Sequence, residues 1–104
     1  MSAIRVLVKK PGEGVRIRVI EDSAEAFQEV IGCRTVRNIM LEDDLALLVD
    51  DDGKLKQSPP NLIIPGHLVV GTVIFAGVKG DKLASISAEH TRGIISAFGM
   101  EAES

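Results

Sequence analysis

The stretch over residues 62–78, which reads LIIPGHLVVGTVIFAGV, constrains the fold more than any other part of this chain. Within it, residues 69–78 form a nearly continuous apolar run. A strand with one face in water alternates apolar and polar side chains, whereas a continuous run is typical of a strand covered on both faces. We therefore expect residues 69–78 to form a long central strand, with the rest of the chain paired to it or packed on it.

Periodic apolar residues and capping residues predict the other elements. A period of two indicates a strand, and a period of 3.6 beside a capping residue indicates a helix. The expected order is strands over 3–10 and 15–20, a helix over 23–31, strands over 34–40 and 45–49, the central strand, and a helix that begins after Ser85 or Ser87 and ends at Gly99. The first helix is expected to bury Phe27 and to stop at Gly32.

Three turns are expected between the fourth strand and the central strand, the last of them at Pro65-Gly66. The run Asp-Asp-Asp-Gly at 50–53 is followed by apolar alternation over 54–56, which predicts a β-hairpin. Residues 59–61, Pro-Pro-Asn, are predicted as a loop, because proline donates no hydrogen bond to a ladder and is excluded from a central strand.

Together these elements predict a single α+β domain over residues 1–104. Its mostly antiparallel sheet is built from a ββαββ unit plus the long central strand, and a C-terminal helix covers it. One cysteine, Cys33, allows no internal disulfide and favours a cytoplasmic location. The longest run of low polarity, 68–78, is shorter than the roughly 20 residues of a spanning helix, so we expect no membrane partner.

No catalytic or metal-binding motif is recognisable. If Gly53 held the sixth position of a calcium loop, Leu48 and Pro59 would have to be oxygen ligands, so the acidic run is better explained as a solvated turn. His67 and His90 lie on different elements, and no local spacing supplies a third metal ligand. No serine lies in a Gly-x-Ser-x-Gly frame, which a hydrolase elbow requires. We expect no enzymatic activity, no cofactor and no metal.

Basic side chains on the first hairpin form the one cluster that suggests a ligand. We expect four of them to project from one outward face, with Arg37 as a possible neighbour: Arg5, Lys9, Arg16 and Arg18. Guanidinium and ammonium groups on one face bind phosphates or carboxylates. The simpler alternative is a solvated outer face balanced by the acidic segment 42–52.

Five phrases distributed along the chain carry a resemblance to a known family. They are IRVLVKKPGEGVRIRVIEDSAEAFQEVIG, LEDDLALLVDDDGKL, SPPN, VVGTVIFAGV and SISAEH. In this order they resemble a family of small bacterial and phage proteins that is described as a domain of unknown function. The resemblance implies a cytoplasmic accessory protein, often carried by phages or mobile elements, and implies no reaction. Relatives often have an arginine where this chain has Leu62 and an aspartate near the position of His67, which makes the flanks of the apolar stretch the best place to look for a site.

We therefore expect a non-catalytic binding or interaction module that associates with itself, most simply as a dimer, through an exposed strand edge or the face around Gly71. The alternative hypothesis is a binder of nucleic acid or of a phosphate ligand through the basic hairpin face. The candidate ligand-binding residues are Arg5, Lys9, Arg16, Arg18, Asn61 and His67.

Overall fold

The computed structural model describes residues 2–101, which form two sheets and two helices. In chain order the elements are β1 (Ala3–Lys9), β2 (Val15–Glu21), α1 (Ala24–Ile31), β3 (Val36–Glu42), β4 (Leu45–Asp50), β5 (Pro60–Ile64), β6 (His67–Val70), β7 (Val73–Lys79), β8 (Lys82–Ala84) and α2 (Ala88–Phe98). This is the α+β class that the sequence predicts.

The larger sheet is antiparallel and has β7 at its centre. Its strands lie in the order β2-β1-β7-β4-β3, and β8 pairs with the end of β7. Residues 73–75 of β7 pair with β1, and residues 74–77 pair with β4 on the opposite side. The strand from the long apolar stretch is therefore central, as predicted, and β2 and β3 are the two ends of the row.

Both faces of this sheet are covered. On one face, Ile74 and Ala76 of β7 pack with α1, whose Phe27 is buried. On the other face, Val73 and Phe75 pack with residues from the β5–β6 hairpin and from α2. Residues 73–77 are all buried, which confirms the prediction that the central strand is covered on both sides.

The predicted long strand over 69–78 is divided at Gly71. This residue has a φ of 76°, in the left-handed region that side chains disfavour, and its N–H donates to the Pro59 carbonyl over 2.8 Å. The chain consequently leaves the direction of β6 before β7 begins. β6 pairs with β5 in a separate two-stranded sheet, so only β7 enters the larger sheet. Periodicity did not show this break because Val69 and Val73, on either side of it, are both buried.

Two local predictions are also corrected, and the structure adds a short strand, β8. Residues 54–56 form successive turns and not a hairpin strand, since the Lys56 N–H donates to the Asp52 carbonyl within the segment itself. Pro60 opens β5 and is not in a loop, which a short strand at the edge of a small sheet permits. β8 was not predicted; it forms because Gly80, with a φ of 67°, reverses the chain directly after β7.

Both helices begin and end where capping residues predict. The Ser23 hydroxyl accepts the Ala26 N–H at the start of α1, and Gly32 ends that helix with a φ of 79°. Ser87 caps α2 in the same way, and Gly99 ends it. Neither helix in the described range 2–101 has the length and apolar character needed to cross a membrane.

Candidate functional site

The predicted basic face does not exist as one surface. Residues directly opposite in an antiparallel pair share a face. The register of the first hairpin sets Arg5 opposite Val19, but Arg16 opposite Val8 and Arg18 opposite Val6. Arg16 and Arg18 therefore lie on the α1 side of the sheet and Arg5 on the other side. The prediction that these basic side chains share one face is wrong.

Lys9, the fourth predicted basic residue, is buried and held by Asn61. Its side chain is only 6% exposed. The Lys9 Nζ donates to the Asn61 Oδ1 over 2.7 Å and lies 5.6 Å from the centre of the Phe98 ring. Burial lowers the pKa of Lys9 below its ordinary value, and the carboxylate of Glu13 partly opposes this. This lysine is not available to an external phosphate.

The Asn61 amide uses its donors within the chain as well. Its Nδ2 donates to the carbonyl of Lys9 over 2.9 Å and to the carbonyl of Gly71 over 2.7 Å. One side chain thus joins the end of β1, the start of β5 and the turn at Gly71. Two predicted site residues are brought together here, but they bind each other, so their arrangement indicates a structural role.

His67, the last predicted site residue, lies on a groove between β3 and the β5–β6 hairpin. Two cavities of about 130 and 270 Å³ form this groove, and Ile39 and His67 line both of them. Arg37 and Lys54 line the first cavity, over a floor that includes Val49. Of the predicted site residues, only His67 lines these cavities.

The groove is lined by charged side chains of both signs. Among residues 2–101, no carboxylate lies within 4.0 Å of the charged atoms of Arg37 or Lys54, or of the ring nitrogens of His67. Asp50, which also lines the groove, is held by Lys56 in an ion pair of 2.5 Å and accepts the Asp52 N–H. Asp51 lines the first cavity as well, so the charged groups of that cavity are two cations, Arg37 and Lys54, and two carboxylates, which favour neither sign of ligand.

A second cluster joins the β3–β4 turn to the first turn of α2. The His90 Nε2 lies 2.8 Å from the Asp44 Oδ1, and the His90 Nδ1 lies 3.6 Å from the Glu42 Oε2. The hydrogen bond with Asp44 raises the pKa of His90 and lowers the pKa of Asp44. Sequence reasoning considered His90 but missed its carboxylate partners, because they are more than 40 positions away and no local spacing connects them.

The two outer strands of the larger sheet differ in how far their edges are closed. At β2, the Val15 N–H donates to the Gly99 carbonyl and the Val15 carbonyl accepts the Glu101 N–H, so the start of that edge is covered. At β3, no further strand from residues 2–101 pairs with the outer side of the sheet. This edge borders the groove, because Ile39 and Met40 of β3 line it.

Comparison with known proteins gives one match. The family described as Domain of unknown function (DUF3846) matches residues 4–99. No curated protein and no solved structure matches the chain. The five phrases of the sequence resemble a family described as a domain of unknown function. Since the match covers nearly the whole chain, this protein belongs to that family.

Proposed function

We propose that this protein is a non-catalytic interaction module that associates with a second copy of itself through the edge of β3. The observation that carries the proposal is the open edge: β3 ends the sheet, and its central residues are free to pair with another strand. An extended strand added to such an edge gains a row of backbone hydrogen bonds.

The hydrogen bonds of the β3–β4 pair identify which residues point outward. The Asp51 N–H donates to the Thr35 carbonyl, so Thr35 directs its backbone groups toward β4. Backbone direction alternates along a strand, and the register sets Asn38 opposite Leu48 without a slip up to Met40. Val36, Asn38 and Met40 therefore direct their N–H and C=O groups away from the sheet.

Antiparallel pairing of two β3 strands about Asn38 uses all of these outward groups. Asn38 then lies opposite Asn38 of the second copy, and Val36 lies opposite Met40. Arg37 lies opposite Ile39, so no two like charges face each other, and Met40, which is 55% exposed, is covered. This pairing is isologous, and it satisfies the twofold symmetry of the commonest homodimers.

The β2 edge is less suited to the same pairing. The backbone groups of Val15 point away from β1, and backbone direction alternates along a strand. Ile17 and Val19 therefore also direct their N–H and C=O groups outward. Pairing Ile17 with Val19 of a second copy would set Arg18 directly opposite Arg18, and like charges in that position are destabilising. We infer that Arg16 and Arg18 protect this edge from association, which is a common use of charged residues at sheet edges.

Sedimentation velocity over a wide range of concentrations tests the proposal, with paired variants at the twofold axis. In Asn38→Lys each lysine would face a lysine, and in Asn38→Glu each glutamate would face a glutamate. The affinity of either variant for a second copy of itself should therefore fall by about tenfold or more. A mixture of the two variants should restore the dimer, because lysine then faces glutamate.

Val19→Lys on the β2 edge is the matched control and should keep the dimer of the unchanged protein. Asn38→Pro removes one outward N–H without removing a bond to β4 and should weaken association in the same way. A strict monomer at every concentration, or a dimer that all three Asn38 variants retain, would show that β3 is not the interface.

A further inference from the structure

We propose that Asp44 and His90, with Glu42 as the orienting carboxylate, form a binding site for a divalent transition-metal ion, with Zn²⁺ as the probe. One ligand atom from each of these side chains lies within 4.8 Å of the others. Imidazole nitrogen and carboxylate oxygen are ligands that Zn²⁺ takes in proteins. Neither the interaction surface on β3 nor the groove beside it includes these contacts.

The geometry assigns different roles to the two carboxylates. Asp44 lies at the Nε2 of His90, at 2.8 Å, while Glu42 lies at the Nδ1, at 3.6 Å. Metal-binding histidines commonly donate their second ring N–H to a carboxylate, which fixes the tautomer and the orientation of the ring. We therefore place the ion between Nε2 and Asp44. Glu42 lies behind the ring, and its side chain, which is 62% exposed, has to move about half an ångström closer to Nδ1 to accept a hydrogen bond from it. Water would complete the coordination.

The distances allow this arrangement with little movement. Two ligands about 2.0 Å from a tetrahedral zinc ion lie roughly 3.3 Å apart. The separation of 2.8 Å between the His90 Nε2 and the Asp44 Oδ1 has to widen by about half an ångström. The Asp44 side chain is 63% exposed on a turn, so it can move without disturbing the core.

The surrounding elements hold the three side chains in place. His90 lies in the first turn of α2, where its N–H donates to the capping Ser87 hydroxyl over 3.1 Å. A β-bulge between Met40 and Glu42 sets Glu42 opposite Leu45. A bulge inserts a residue and redirects the side chain that follows. Here the bulge places the side chain of Glu42, at the end of β3, on the side of the sheet on which α2 packs.

Titration of Zn²⁺ alone into the full chain tests the proposal, with calorimetry for affinity and the nuclear magnetic resonance signals of the two histidine rings for location. We expect saturable binding to one site per chain and a change at the His90 ring. His90→Ala and Asp44→Asn should abolish it. Glu42→Gln should weaken it by about tenfold, because outer carboxylates have effects of that size.

His67→Ala and Asp43→Asn are the matched controls, a second histidine and a neighbouring acid of the same turn, and both should bind Zn²⁺ normally. Asn38→Lys should also bind normally, which separates this proposal from the one about β3. The proposal is overturned if the unchanged chain shows no saturable binding, in which case the cluster is an ion pair only. It is equally overturned if His90→Ala still binds or if Asp43→Asn loses as much affinity as Asp44→Asn.

Discussion

Replacing Asn61 with alanine tests whether its side chain joins three parts of the fold: the end of β1, the start of β5 and the turn at Gly71. The substitution removes two donors, to the carbonyls of Lys9 and Gly71, and the acceptor of the Lys9 ammonium. The other oxygen near the Lys9 Nζ is the Asn61 backbone carbonyl, at 3.5 Å. Because Lys9 is buried, water cannot easily replace the lost acceptor.

The expected loss of stability follows from these contacts. Two neutral hydrogen bonds contribute about 1 kcal/mol each, and a bond to a charged group contributes about 1.5–3 kcal/mol. These bonds are only partly buried, so we take the low end and expect a loss of about 3 kcal/mol in the free energy of unfolding. In a domain of this size that lowers the melting temperature by roughly 12–20 °C.

A double-mutant cycle in urea separates the bond to the Lys9 ammonium from the two neutral hydrogen bonds of Asn61. Lys9→Met removes the ammonium and keeps an aliphatic side chain of similar length, so Asn61→Ala in that background should lose only the two neutral bonds, about 2 kcal/mol. Asn38→Ala is the control at the chain's other asparagine, which is exposed, and should change stability by less than about 0.5 kcal/mol when measured on the monomer. A cost below about 1 kcal/mol for Asn61→Ala, or strict additivity with Lys9→Met, would refute the reasoning.

Three further predictions concern other parts of the fold. A Cβ on Gly77 would lie 2.3 Å from the Ser85 carbonyl oxygen, so Gly77→Ala should destabilise the protein by about 2 kcal/mol in urea. Gly93 has open space around it in α2, so Gly93→Ala should stabilise the protein by up to about 1 kcal/mol. Equal effects of the two substitutions would contradict the packing. The raised pKa of His90 makes its pair with Asp44 stabilising below about pH 6.5, and this contribution is lost as the pH rises through the folded pKa of His90. The lowered pKa of Asp44 makes the contribution present above about pH 3.8 and lost as the pH falls through the folded pKa of Asp44, so in a chelator the melting temperature of His90→Ala should fall furthest below that of the unchanged protein near pH 5, and the difference should shrink in alkali. Since Arg5 and Arg16 lie on opposite faces, fluorescence anisotropy at low ionic strength should show no DNA binding that weakens steeply with salt, and such binding would revive the hypothesis of a nucleic-acid partner.

Features that depend on neighbouring positions could be predicted from the sequence. The positions of β1 and β2, the serine at the start of each helix and the glycine at its end follow from local patterns, and they appear where expected. The expected inward faces of the two strands do not, because Leu7 is buried and Val19 is exposed. The burial of both faces of β7 was also readable, because a strand with no polar alternation has no face to leave in water. These properties need no knowledge of which distant segments meet.

The candidate sites could not be predicted in the same way, because they depend on register and on chain crossings. A shift of one residue in the pairing of β1 with β2 exchanges the faces of every side chain, and the sequence does not state that register. The same limit applies to Asn61 and Lys9, which are 52 positions apart, and to His90 and Asp44, which are 46 apart. Each pair depends on the packing of the β5–β6 hairpin or of α2 on the sheet.

The apolar stretch over 62–78 shows both sides of this division. Its composition alone determined that a strand from it, residues 73–77, is buried and lies at the centre of the sheet. The tertiary structure decided that Gly71 divides it, because the N–H of that glycine bonds to Pro59 and its left-handed φ turns the chain between two sheets. Apolar composition specifies removal from water without specifying a direction, whereas the hydrogen bonds at the turn specify the direction.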